Sequence, residues 1–260
     1  MVAGASGADE VIAPIMSEFF FTLIPRYFPF LLKGAWVTIE LSVISMTCAI
    51  ALGLAVALGR LSSRRWLDWL LRAYVEIWRD VPLVVQLLVI YFTLPQVGLT
   101  LPGFWAGVLG LALNLGAYLS EVFRAAIQAV DNGQREAGLT IGMSHTMIYR
   151  RVILPQALKV ALPTIGGYFI SLLKDSSLVS FIAVNELLRH GTIVIADTFM
   201  SMQVYLMVAI IYFAMSFAAA RGVRWIEQKF TPVHRGGKRV STQIPASKAG
   251  ATSTEPNLET

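Results

Sequence analysis

Glu136-Ala137-Gly138-Leu139-Thr140-Ile141-Gly142-Met143-Ser144-His145-Thr146-Met147-Ile148-Tyr149-Arg150-Arg151-Val152-Ile153-Leu154-Pro155 decides how the rest of the chain is read. The stretch is too polar to cross a bilayer, yet long hydrophobic segments flank it on both sides. Leu139, Met143 and Met147 recur at i, i+4 and i+8, and Ile148 widens the stripe, so the spacing predicts a short amphipathic helix. Arg150 and Arg151 follow, and Pro155 is expected to end the segment before the next span. A helix of about ten residues measures about 15 Å, a size suited to docking in a partner's groove. A plain loop lying on the membrane surface fits the same periodicity.

Working outward, the 260 residues are 56% hydrophobic and only 14% charged. A soluble domain carries nearer a quarter charged residues, as a rough average. The balance therefore points to an all-α multispanning membrane protein and away from a globular enzyme. The net charge of +5 suggests basic loops on one side of a bilayer, not nucleic acid. Cys48 is the single cysteine, so no disulfide framework or cysteine-built metal site is expected. No metal-ligand spacing or nucleophile–base pair stands out.

Residues 1–34 read as an external segment with an interfacial helix, because Pro25 and Pro29 interrupt an aromatic run. Five spans are expected, at about 35–58, 66–94, 104–130, 156–184 and 198–220. The second is interrupted by Arg79, Asp80 and Pro82, which read either as the anchor of a kink or as a gate on a translocation path. In the third, Asn114 and Glu121 lie seven residues apart and share a helix face. Lys174 and Asp175 fall deep in the fourth, followed by Ser176. Intramembrane charges of this kind are usually functional or mutually paired. Residues 185–197 read as a polar external loop. Residues 231–260 are rich in Pro, Ser, Thr and Gly and read as a disordered cytoplasmic tail.

Charge counting orients the bundle. Arg60, Arg64, Arg65 and Arg72 share a side with Arg124, Arg135, Arg150, Arg151, Lys159 and the basic tail. That side is expected to be cytoplasmic, which places the N-terminus outside and the C-terminus inside. The 136–155 stretch then faces the cytoplasm. Its basic flank also suits membrane lipid.

Beyond these physical readings, the stretch resembles the loop motif of ABC-importer permeases: Glu-Ala-Ala, three residues, Gly, nine residues, then Ile-x-Leu-Pro. Glu136-Ala137-Gly138, Gly142 and Val152-Ile153-Leu154-Pro155 fall in that register, with Gly138 and Val152 as conservative departures. Residues 34–191 resemble the permease subunit of polar amino-acid importers. The similar blocks include Arg79-Asp80-Val81-Pro82-Leu83-Val84-Val85-Gln86, Gly116 to Arg124, and Leu172 to Val179. Asp80 and Val81 depart from the Gly-Thr of that subfamily.

The resemblance implies an assembly in the bacterial inner membrane. Two ABC ATPase subunits, a second permease subunit (identical or related) and an extracytoplasmic solute-binding protein would join this chain. ATP and Mg would be held by the ATPase, since this sequence has no Gly-x-x-x-x-Gly-Lys-Ser/Thr loop. Glu136, Ala137, Gly138, Gly142, Met143, Met147 and Pro155 would form the ATPase-coupling segment. An α-amino acid needs acceptors for its ammonium, for which Glu121 and Asp175 are candidates. It needs donors for its carboxylate, for which Lys174, Gln86 and Asn114 are candidates, with Ser176 beside them. The same groups could instead pair among themselves. An ion-gradient-driven secondary transporter, with Glu121 or Asp175 as a proton site, is the rival reading.

Overall fold

A computed structural model of the chain describes residues 24–62 and 64–230. The expected tail at 231–260 and the first 23 residues lie outside these. The described residues are helical throughout, joined by short turns. The helices are α1 (Ile24–Arg60), α2 (Arg65–Asp80), α3 (Leu83–Thr93), α4 (Gly103–Gln128), α5 (Asn132–Thr140), α6 (His145–Ile148), α7 (Leu154–Asp175), α8 (Leu187–Thr198) and α9 (Ser201–Phe230).

Four helical runs are long and apolar enough to cross a membrane: Ile24–Arg60, Gly103–Gln128, His145–Ile182 and Ser201–Phe230. Arg65–Asp80 and Leu83–Val97 make a fifth only as a pair, bent by 108° at their junction. The all-α bundle of four to five spans agrees with the expected fold class, and the interruption falls at Pro82, where the sequence places it.

α1 and α4 form the centre, and α3 and α7 pack on α4. Leu41, Leu87, Leu111, Leu119, Phe123 and Ile153 are buried between them. The close approach of α1 to α4 needs small residues. A methyl group on Gly53 would meet Leu119 Cβ at 2.9 Å, and one on Gly116 would meet Leu52 Cδ2 at 2.9 Å.

Three expectations are corrected. The interfacial helix expected within residues 1–34 is not a separate element among the described residues, since α1 runs unbroken from Ile24 through Pro29. Pro29 sits inside this helix, which runs on through the loss of one backbone donor. Pro155 does not end the coupling stretch, because the helical run from His145 continues through it. A π turn at Tyr149–Ile153 changes the hydrogen-bond register just before it, with Leu154 N–H donating to the Tyr149 carbonyl.

Residues 185–197 are not an open polar loop. Glu186 is fully buried and caps α8 by accepting from Leu188 N (2.9 Å) and Arg189 N (2.8 Å). Tyr212 donates to it from α9 at 2.6 Å, and Thr38 of α1 accepts from Leu187 N at 3.1 Å. The Thr38 hydroxyl also lies 3.4 Å from the same carboxylate, whose contacts thus draw on α1, α8 and α9.

Candidate functional site

The 136–155 stretch is a pair of short helices closed by a tight turn. Asp131 caps α5 by accepting from Gly133 N at 2.6 Å. At the other end Gly142 takes the left-handed conformation, φ 80°. Met143 N donates to the Gly138 carbonyl (3.0 Å) and Gly142 N to that of Leu139 (2.9 Å), the paired bonds of a Schellman stop. Ser144 then opens α6. Gly138 has a separate role, since a methyl group there would meet Ile148 Cγ1 at 2.8 Å. It lets the two helices touch.

This turn breaks the predicted stripe. Leu139, Met143 and Met147 do not share one helix, because Gly142 separates them. Ile148 is buried under Gly138, and Met143 packs on the core. Leu139, Ile141 and Met147 stay exposed, and Ile141 is the most exposed of the three at 76%. Glu136, Ala137 and Pro155 are exposed too. The periodicity missed Ile141 because a helical count puts it off the stripe. The apolar tip is made by the turn.

The second element is the bend at Pro82. A proline here cannot donate to the carbonyl four residues back, which is Trp78. Gln86 Nε2 takes that carbonyl at 3.0 Å and Val81's at 2.8 Å. Asn114 Nδ2 takes the Trp78 carbonyl at 2.8 Å and Gln86 Oε1 at 3.0 Å. The freed backbone acceptor is thus satisfied from two other helices, which holds the bend inside an apolar bundle. Gln86 and Asn114 hold this bend, and no Arg79–Asp80 ion pair is present among the described residues.

A cavity of about 460 Å³ opens beside this bend. Its lining includes Arg79, Asp80 and Pro82 from the bend, Asn114 and Tyr118 from α4, and Tyr168, Ser171 and Asp175 from α7. Arg79 and Asp175 thus share one space although they stand 96 positions apart in the chain. The size falls within the roughly 300–1,000 Å³ of small-molecule sites. Tyr118 hydroxyl donates to the Arg79 carbonyl at 3.3 Å, and the Arg79 guanidinium lies 5.3 Å from the Tyr118 ring centroid.

The structure sorts the candidate path residues. Asn114 and Asp175 line the cavity. Gln86, Glu121, Lys174 and Ser176 do not. Ser176 is buried and donates to the Leu173 carbonyl at 2.9 Å. Lys174 is exposed away from the lining. Glu121 pairs with Arg60, accepts from Arg124 at 2.7 and 3.0 Å, and faces the junction of α1, α2 and α4, with Asp68 beside Arg60. Glu121 thus pairs with arginines outside the candidate set, while Gln86 and Asn114 bond to each other at the bend.

Tyr118, Tyr168 and Ser171 were missed as site residues. Their signal was present in the spacing. Asn114 and Tyr118 are four apart, and Tyr168, Ser171 and Asp175 fall at i, i+3 and i+7.

A bundle of spans with a cavity at a broken helix, and an apolar-tipped turn flanked by basic residues, fits a membrane transport subunit. The chain belongs to the family described as binding-protein-dependent transport system inner membrane component, which matches residues 49–232. The ion-gradient-driven carrier weighed on sequence grounds is thereby set aside.

Among relatives, the chain is 35% identical over 222 residues to the probable amino-acid ABC transporter permease protein YckA of Bacillus subtilis (strain 168), covering 85% of this chain and 98% of that protein. It is 40% identical over 204 residues to the L-cystine transport system permease protein TcyB of the same organism, covering 78% and 87%. The crystal structure of an amino acid ABC transporter with histidines superposes with a TM-score of 0.74 at 39% identity, covering 80% of this chain and 98% of that one.

Proposed function

We propose that this chain is the permease subunit of an ATP-driven importer for polar amino acids in a bacterial inner membrane. The observation that carries the reading is the family match over residues 49–232, which takes in the 136–155 turn, the bend at Pro82 and the cavity together. The relatives named above support the amino-acid class. Two ABC ATPase subunits, a second permease subunit and an extracytoplasmic binding protein complete the assembly. ATP and Mg belong to the ATPase, so this chain is not itself the enzyme.

The mechanism follows from how the turn is mounted. Its apolar tip at Leu139, Ile141 and Met147 seats in the ATPase, on the cytoplasmic side assigned by the basic loops. The helical run that begins at His145 reaches Asp175 without a break, about 45 Å at 1.5 Å per residue. Closure of the ATPase pair displaces the tip, and this stiff run carries the displacement to the cavity wall. Arg79, Asp80 and Pro82, on the facing wall, act as the gate. The groove lined by Phe28, Trp36, Phe169 and Ile210 is apolar and meets lipid.

The test is uptake by the assembled complex in liposomes. ATP inside the ATPase-accessible compartment should drive accumulation of a labelled amino acid that an uncoupler leaves intact. Accumulation that continues without ATP and collapses with the uncoupler would overturn the reading.

A further inference from the structure

We infer that the cavity at the Pro82 bend selects an α-amino acid with a cationic side chain. This rests on the proposal that the cavity is the substrate path. Three side chains of the acidic and basic types line it: Arg79, Asp80 and Asp175. Lys174, next along the chain, is outside the lining. The wall therefore carries one positive and two negative groups.

Their pairing decides what can enter. Among the described residues, Arg79 pairs with no carboxylate, and neither Asp80 nor Asp175 has an ion-pair partner. Asn114 adds an acceptor, because its Nδ2 is committed to Trp78 and Gln86 while its Oδ1 accepts nothing. The free inventory is one guanidinium donor fork against two carboxylates and an amide oxygen.

A substrate α-carboxylate matches the fork of Arg79, which is built for bidentate contact. The α-ammonium uses one aspartate. The second aspartate then needs a cation of its own, because an unpaired carboxylate becomes costly once the cavity closes and water leaves. A guanidinium or ammonium side chain supplies it. Tyr168, whose ring lies 6.0 Å from that of Tyr118, gives the cation an aromatic wall. A neutral side chain leaves one aspartate unpaired, and an acidic one brings a third carboxylate against two. Specificity arises from that repulsion as much as from attraction.

The test measures the permease's own preference. The full-length chain is purified with its co-purifying ATPase and without the binding protein, and equilibrium dialysis is run with labelled arginine, glutamine and glutamate. Arginine should bind about tenfold or more tighter than glutamine, or about 1.4 kcal/mol, with glutamate weakest and lysine displacing arginine. Asp80→Asn or Asp175→Asn should shift the arginine-to-glutamine ratio toward glutamine, which a folding defect would not do.

Glutamine or glutamate bound more tightly than arginine, and weakened by Arg79→Gln, would overturn the inference while leaving the cavity as the path. A preference that Arg79→Gln, Asp80→Asn and Asp175→Asn all leave unchanged would overturn both. So would an absence of binding by all three probes.

Discussion

Asn114 Nδ2 donates to the Trp78 carbonyl at 2.8 Å, across 36 residues of chain, and so replaces the donor that Pro82 lacks. Asn114→Leu should leave the Trp78 carbonyl with Gln86 as its one side-chain donor and strip the donor from Gln86 Oε1, at a cost of about 1–3 kcal/mol. Thermal unfolding in detergent checks this. Pro82→Ala restores a competing backbone donor, so the double variant should lose less than the sum, by at least about 0.5 kcal/mol.

Glu121→Ala should destabilise the fold by about 1.5–3 kcal/mol, since it removes the hydrogen-bonded carboxylate from Arg60, whose side chain is only 9% exposed, and leaves only Asp68 at 3.7 Å. Ligand affinity of the protein that remains folded should not change. An affinity loss with unaltered unfolding would return Glu121 to the path.

Gly142→Ala should cost about 1–2 kcal/mol, because an L side chain is forced to φ 80°. Gly142→Asn should be milder, as asparagine tolerates that region. The two variants, compared by unfolding and by ATPase co-purification, separate turn geometry from surface chemistry.

Local chemistry was legible in the sequence where it acts locally. Pro82 marks the bend because a missing donor disrupts its own turn. Gly142 sits at a stop because its motif register and its freedom at positive φ coincide. The long apolar runs of α4 and α9 were readable from hydropathy alone.

Partners distant along the chain were not legible. Glu121 looks the same in sequence whether it faces substrate or Arg60, 61 residues away. Gln86 looks like a path residue until the Trp78 carbonyl that Pro82 orphans is traced. Prolines misled at Pro29 and Pro155, where α1 runs on through the lost donor and a π turn shifts the bonding register. Glu186 was read as exposed because its three-helix cradle draws on Thr38 and Tyr212 from opposite ends of the chain.

The most direct test of the coupling account is co-purification from native membranes with Ile141→Asp against the unaltered chain. Ile141 is 76% exposed and holds nothing in the fold, so the variant should unfold at the same temperature. The account predicts that an ABC ATPase co-purifies with the unaltered chain and is lost from Ile141→Asp. Equal ATPase recovery with both proteins, or none with the intact, folded chain, would contradict it.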